Sequence, residues 1–135
     1  MEAKANILIV DDEEIVRRSY ARILGEMDCD AQAAADGEQA LHAMGQRRFD
    51  VVLLDLRMPG VQGLDVLKTI KQRWPASEVV IITGYPSVDS AKEALQLGAC
   101  DYLAKPVDPN DVMDAARGAM RRKKWALRPE AVPVH

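Results

Sequence analysis

Three short aliphatic runs, residues 7–10, 51–54 and 79–82, constrain this chain more than anything else in it. None of them alternates apolar with polar residues, as a strand with one wet face must, so each reads as a strand covered on both faces. The segments between them carry a helical period. Acids open a first helix that runs through about Gly25, with Ile15, Val16, Tyr20, Ile23 and Leu24 on one face. Asp36-Gly37-Glu38 marks a turn and helix start before 39–44, and 64–74 reads as an amphipathic helix closed by Pro75. Residues 87–97 form a helix stopped by Gly98, and 109–124 a last one with proline in its first turn.

Two further strands complete the alternation. Residues 102–104 are one, and 30–34 another, expected only because the alternation requires it, since alanine has low β-propensity. The central run extends back to Phe49 as the strongest strand, 49–54. Five βα units in succession imply an α/β fold, a doubly wound five-stranded parallel sheet with five helices on both faces. At 135 residues, 48% hydrophobic and 29% charged, the chain fits one globular domain with a single core.

In such a sheet the ligand site lies beyond the carboxyl ends of the strands. Here those ends carry reactive residues: Asp11-Asp12 after the first, Asp55 after the third, Thr83 after the fourth and Lys105 after the fifth. Any one of them alone has an ordinary structural role, as a turn cap, a strand end or a surface lysine. Together they form a constellation. Asp11, Asp12 and Asp55 brought within a few ångströms repel, which raises a pKa or recruits a cation, and an all-oxygen site of this kind suits Mg2+ rather than zinc. A carboxylate beside a divalent cation and an ammonium is arranged for phosphoryl transfer. Lys105 neutralises charge on the incoming group, the Thr83 hydroxyl donates to another of its oxygens, and Asp55 is the nucleophile that becomes an acyl phosphate.

These residues also carry a resemblance. From residue 6 to about 122 the chain resembles the receiver domains of two-component response regulators, through Asp11-Asp12, Asp55 with its Met58-Pro59-Gly60 turn, Thr83-Gly84, and the stretch from Gly98 through Asp101-Tyr102-Leu103-Ala104-Lys105-Pro106. The resemblance implies a flavodoxin-like strand order 2-1-3-4-5, Asp55 as phosphoacceptor from a sensor histidine kinase, and Asp12 and Asp55 as direct Mg2+ ligands. Asp11 would act mainly through water, and the backbone carbonyl of Arg57 would complete the protein ligands. It implies a cis Lys105–Pro106 peptide, which the small energy gap at X-Pro bonds permits. It also implies a switch in which Thr83 moves toward the phosphoryl group and Tyr102 turns inward. The output face would be the fourth helix, fifth strand and fifth helix, used for dimerisation or for a downstream protein partner. Such a receiver takes up and loses its own phosphoryl group and is no turnover enzyme.

Rival chemistries fit less well. A haloacid dehalogenase-type phosphatase needs an acid two residues beyond its nucleophilic Asp, where this chain has Arg57. A flavin carrier of the flavodoxin type cradles a phosphate after its first strand, where Asp11-Asp12-Glu13-Glu14 would repel it. A pseudo-receiver would lack part of the acidic site or the lysine.

The remaining features are accessory. Residues 1–120 hold 13 basic and 20 acidic residues, a balance of −7, while 121–135 carry +4. An acidic body argues against nucleic-acid binding, and Arg121-Arg122-Lys123-Lys124 fits the end of a helix whose macrodipole favours cations there. No early apolar run has the length of a secretory or membrane segment, so a cytoplasmic protein is expected, without membrane contact. Cys29 and Cys100 lack metal spacing and precede strands at opposite edges in the order 2-1-3-4-5, so no disulfide is expected; His42 is expected on a helix surface. Domain organisation is expected as a receiver over 1–122 and a tail or start of a linker over 123–135. The chain therefore reads as a stand-alone receiver or as the receiver part of a larger transcriptional regulator. Finally, Arg57 and Tyr85, each two residues past a site residue, are placed to shield an acyl phosphate from water, or else both point into solvent.

Overall fold

In the structure, a computed structural model, residues 4–57 and 62–127 are described, without the side chains of 123–127. The Met58-Pro59-Gly60 turn and most of the 123–135 tail therefore lie outside the described residues. Strands β1 (Asn6–Val10), β2 (Asp30–Ala34), β3 (Val51–Leu54), β4 (Glu78–Thr83) and β5 (Asp101–Ala104) alternate with helices α1 (Glu14–Glu26), α2 (Gly37–Gln46), α3 (Gly63–Arg73), α4 (Val88–Gln96) and α5 (Pro109–Leu127). All neighbouring strands are parallel, in the order β2-β1-β3-β4-β5.

The aliphatic runs are continuous because the two faces of the sheet bury different halves of each run. On β1, Leu8 and Val10 pack with Ala40, Met44, Val66, Leu67 and Ile70 beneath α2 and α3, with Ala94 of α4 in the same cluster. Ile7 and Ile9 point the other way and pack with Tyr20, Ile23 and Leu24 of α1 and Val112 and Ala116 of α5. Successive strand residues face opposite sides, so a strand between two helical layers has no position left for a polar residue.

The alanine-rich β2 forms despite its composition. It pairs in register with β1 from Asn6 opposite Asp30 to Val10 opposite Ala34, and Arg47 of the following segment ties Asn6 to Asp30. Small side chains suit an edge strand over which α2 lies. Asp36 caps α2 by accepting from the Gln39 amide (2.8 Å), and Ser87 caps α4 by accepting from the Ser90 amide (3.0 Å). Strand β4 is one residue longer at each end than expected from its aliphatic run, because Glu78 still pairs with Val51 and Thr83 with Ala104. Strand β3 begins at Val51, with Phe49 fully buried just before it. Helix α5 runs to Leu127, three residues past the expected end. His42 lies on the exposed side of α2, and Cys29 and Cys100 are free thiols preceding the two edge strands. The Lys105–Pro106 peptide is cis.

Candidate phosphoacceptor site

The sheet ladder continues one residue past three strands, and this places the site. Asp11 donates its amide to the Ala34 carbonyl (3.2 Å), Asp55 to Val10 (3.0 Å) and Lys105 to Thr83 (2.8 Å). Each reactive residue is thus anchored by its own backbone before its side chain leaves the sheet. Behind Asp55 the chain returns at Gly63, whose amide reaches the Leu56 carbonyl (3.1 Å). A Cβ on Gly63 would overlap the Leu56 Cα and lie 2.7 Å from the Leu56 carbonyl oxygen, so only glycine lets α3 begin this close to Asp55.

Lys105 bridges the two buried acids. Its ammonium donates to Asp11 Oδ2 (2.7 Å) and Asp55 Oδ2 (3.0 Å), with the carboxylates only 2% and 6% exposed. The Arg57 amide donates to Asp55 Oδ1 (3.1 Å) and the Glu13 amide to Asp11 Oδ1 (2.9 Å). Burial pushes the Asp55 carboxyl above the ordinary range, against the opposing pull of the Arg57 amide and Lys105, while the Asp11 charge adds to the rise. Burial alone would lower the Lys105 ammonium, but its hydrogen bonds and charge contacts with Asp11 and Asp55 raise it, so it stays charged.

Asp12 is the exposed member of the acidic group and takes no hydrogen bond from the described residues. Carboxylate oxygens of Asp11, Asp12 and Asp55 lie within 4.8 Å of one another. Three carboxylates against one ammonium leave two negative charges uncompensated, which one divalent cation matches. The donor set is all oxygen, with no thiolate or imidazole, and Asp12 opens onto a cavity of about 590 Å³, lined by Asp12, Glu13, Asp55, Arg57, Gly84, Tyr85 and Lys105. These residues fit a hard cation that keeps part of its water, as Mg2+ does.

Two sequence candidates make no hydrogen bond to the carboxylates and do not line the cavity. Thr83 is fully buried at the end of β4, its hydroxyl oxygen accepting from the Tyr85 amide (3.1 Å), and it does not line the cavity. Tyr102 is half-buried, and its hydroxyl lies 2.6 Å from Ser90 Oγ and accepts from the Ser87 amide (3.3 Å) at the start of α4. Arg57 and Tyr85 do come together: the guanidinium lies 4.1 Å from the ring centroid, at the wall of the cavity that holds Asp55. Sequence reasoning missed Gly63, Ser90 and Arg17, whose guanidinium donates to the Asp11 carbonyl (2.7 Å).

The family model of the response regulator receiver domain matches residues 7–117. The chain belongs to the response regulator receiver family. Phosphorylation and Mg2+ are general features of these receivers in two-component systems. The receiver is 38% identical over 119 residues to the response regulator protein PilR of Pseudomonas aeruginosa, a match covering 88% of this chain and 27% of PilR. It is 34% identical over 129 residues to the DNA-binding transcriptional regulator NtrC of Salmonella typhimurium, covering 96% of this chain and 28% of NtrC. The chain thus spans little more than a quarter of the length of these relatives. Among solved structures, a CheY-like receiver domain protein from Methanospirillum hungatei superposes with a TM-score of 0.89 at 26% identity, over 92% of this chain and 99% of that one. NtrX from Brucella abortus superposes with a TM-score of 0.89 at 30% identity, over 98% of this chain and 31% of that one.

Proposed function

We propose that this receiver accepts a phosphoryl group from a sensor histidine kinase on Asp55. The observation that carries the proposal is the placement of one carboxylate, Asp55, against the Lys105 ammonium, beside Asp12 and open to a cavity wide enough for a phosphoryl group. An Asp55 oxygen attacks phosphorus, the new O–P bond forms as the P–N bond of the phosphohistidine breaks, and the departing imidazole takes a proton from solvent. Lys105 stays paired to the developing acyl phosphate and offsets its charge. Asp12, Asp55 and the Arg57 carbonyl, with Asp11 through water, would hold Mg2+, which offsets charge on the phosphoryl oxygens. Thr83 and Tyr102 act as the switch, with Thr83 trading the Tyr85 amide for a phosphoryl oxygen.

The output surface is α4, β5 and α5, where Val88 and Leu95 stand 72% and 53% exposed one above the other on α4. A second copy of the chain or a downstream protein is its partner, and neither nucleic acid nor membrane is. Among the described residues no helix is long and apolar enough to cross a membrane; in this reading the place of action is the cytoplasm. The receiver domain extends over 1–122, with 123–135 a tail or the start of a linker, and the module turns over no external substrate. A second reading is favoured by the coverage of PilR and NtrC: the chain is the receiver part of a larger transcriptional regulator.

The test is the joint response of metal and phosphoryl chemistry to one ligand. In Asp12→Ala, Mg2+ affinity falls at least tenfold and labelling by acetyl phosphate falls with it, since a charged ligand is lost. Calorimetric titration with Mg2+ that returns the parent affinity would remove Asp12 from the site.

A further inference from the structure

Every hydrogen-bonding atom of Asp11 is engaged, and one of its four partners answers neither the sheet, the turn nor the acidic site. Its amide binds Ala34, Oδ1 the Glu13 amide and Oδ2 Lys105. These are the needs of a strand end, a turn and an acidic site. The fourth group is the Asp11 carbonyl. The preceding carbonyl, that of Val10, is taken by the Asp55 amide, but β2 ends at Ala34 and β3 at Leu54, so no strand supplies a donor for the next one. Arg17 supplies it instead. Lying half-buried one turn into α1, it donates from Nη1 to the Asp11 carbonyl at 2.7 Å, and it makes no ion pair among the described residues although four acids precede it in 11–14.

We infer that Arg17 is a positioning residue for the cation site. The peptide that follows Asp11 is a rigid plane containing its carbonyl oxygen and the nitrogen and Cα of Asp12. Holding that oxygen holds the origin of the Asp12 side chain, the one exposed carboxylate of the cluster and the only one that neither Lys105 nor a backbone amide restrains. Mg2+ demands near-ideal octahedral geometry at about 2.0–2.1 Å, so a peptide free to rotate about the Asp11–Asp12 axis presents the ligand poorly. Arg17 also carries charge, and the two roles have opposite signs. As a cation near the site it repels a second cation, so its removal would tighten binding. As an anchor it preorganises the ligand, so its removal weakens binding. The contact is directed at a carbonyl dipole and the side chain is partly solvated, which screens the repulsion and leaves anchoring dominant.

The inference rests on the cation site of the proposed function, and its test separates the two. Mg2+ affinity is measured by calorimetry on the full chain carrying Arg17→Met, Arg17→Ala or Arg17→Lys, together with the urea midpoint without metal and labelling by acetyl phosphate at saturating Mg2+. Outer-shell partners of metal ligands are worth about 10–100-fold in affinity. Arg17→Met and Arg17→Ala are expected to bind Mg2+ about tenfold more weakly, and still to label at saturating Mg2+. Arg17→Lys recovers most of the loss, because the contact uses a single donor that an ammonium can replace. Unchanged or tighter Mg2+ binding in both Met and Ala variants overturns the inference, whatever happens to the urea midpoint. A parent chain that binds Mg2+ but never labels contradicts the phosphoacceptor reading and leaves the role of Arg17 standing.

Discussion

Lys105 holds apart two charges that would otherwise meet with nothing between them. Asp11 and Asp55 are both almost fully buried, and removing the ammonium would leave one of them protonated or the pair open to water. That arrangement was legible in the sequence because each member follows a strand-like run, and strand ends of a parallel sheet converge. Arg17 was not legible, because its partner is a backbone carbonyl and no residue type marks one. Arg57 and Tyr85 were flagged singly by their spacing from Asp55 and Thr83, and their stacking on each other was not. Tyr85 is 63% exposed, and the Arg57 guanidinium lies on its ring beside the Asp55 cavity. We propose that this pair hinders in-line attack of water on an acyl phosphate at Asp55. Hydrolysis of phosphorylated Asp55 is expected to be several-fold faster in an Arg57→Ala, Tyr85→Ala double variant, followed by mass under excess Mg2+ without kinase. Equal decay in parent and variant would remove the shield and leave the phosphoacceptor untouched.

Among the elements, those legible in the sequence were the ones with a strong period or a cap. The helices begin or end at Asp36, Ser87, Pro109 and Gly98, and Gly98 takes φ +106°, a conformation that suits glycine. Strand β2 was inferred from alternation alone, because its stability lies in pairing with β1 and in the Arg47 bridge rather than in its own residues. The ends of β4 were missed because a buried Glu78 at a strand start looks like a loop residue; Arg122 of α5 pairs with it at 3.4 Å. The start of α3 against Leu56 makes a prediction in which one substitution takes opposite signs at two positions. Gly63→Ala forces a side chain into backbone and is expected to cost about 1–3 kcal/mol. Gly118→Ala, in the interior of α5 with open space around the new Cβ, is expected to gain up to about 1 kcal/mol. Urea unfolding of both variants checks the pair, and a Gly63→Ala midpoint at or above the parent's would remove the claim that close approach requires glycine there.

Across the whole molecule, periodicity was enough for a parallel α/β sheet covered on both faces, but not for the order of its strands. Any sequence of βα units satisfies the same local pattern, and the order 2-1-3-4-5 came from the resemblance. That order sets Cys29 and Cys100 four strand spacings apart, roughly 19 Å, too far to bridge. It also sets β1 and β3 side by side, so that Asp11, Asp12 and Asp55 meet although 43 or 44 residues separate them in sequence. The fold therefore gathers Asp11, Asp12, Asp55 and Lys105 at the carboxyl end of the sheet. Intact mass after incubation with acetyl phosphate and Mg2+, run in parallel on the parent chain and on Asp55→Asn, tests the role proposed for Asp55 most directly. The parent is expected to gain the mass of one phosphoryl group, lost on chelation of Mg2+ before the donor is added, and Asp55→Asn to gain none. Full labelling of Asp55→Asn, or a parent that binds Mg2+ and stays unmodified, would contradict it.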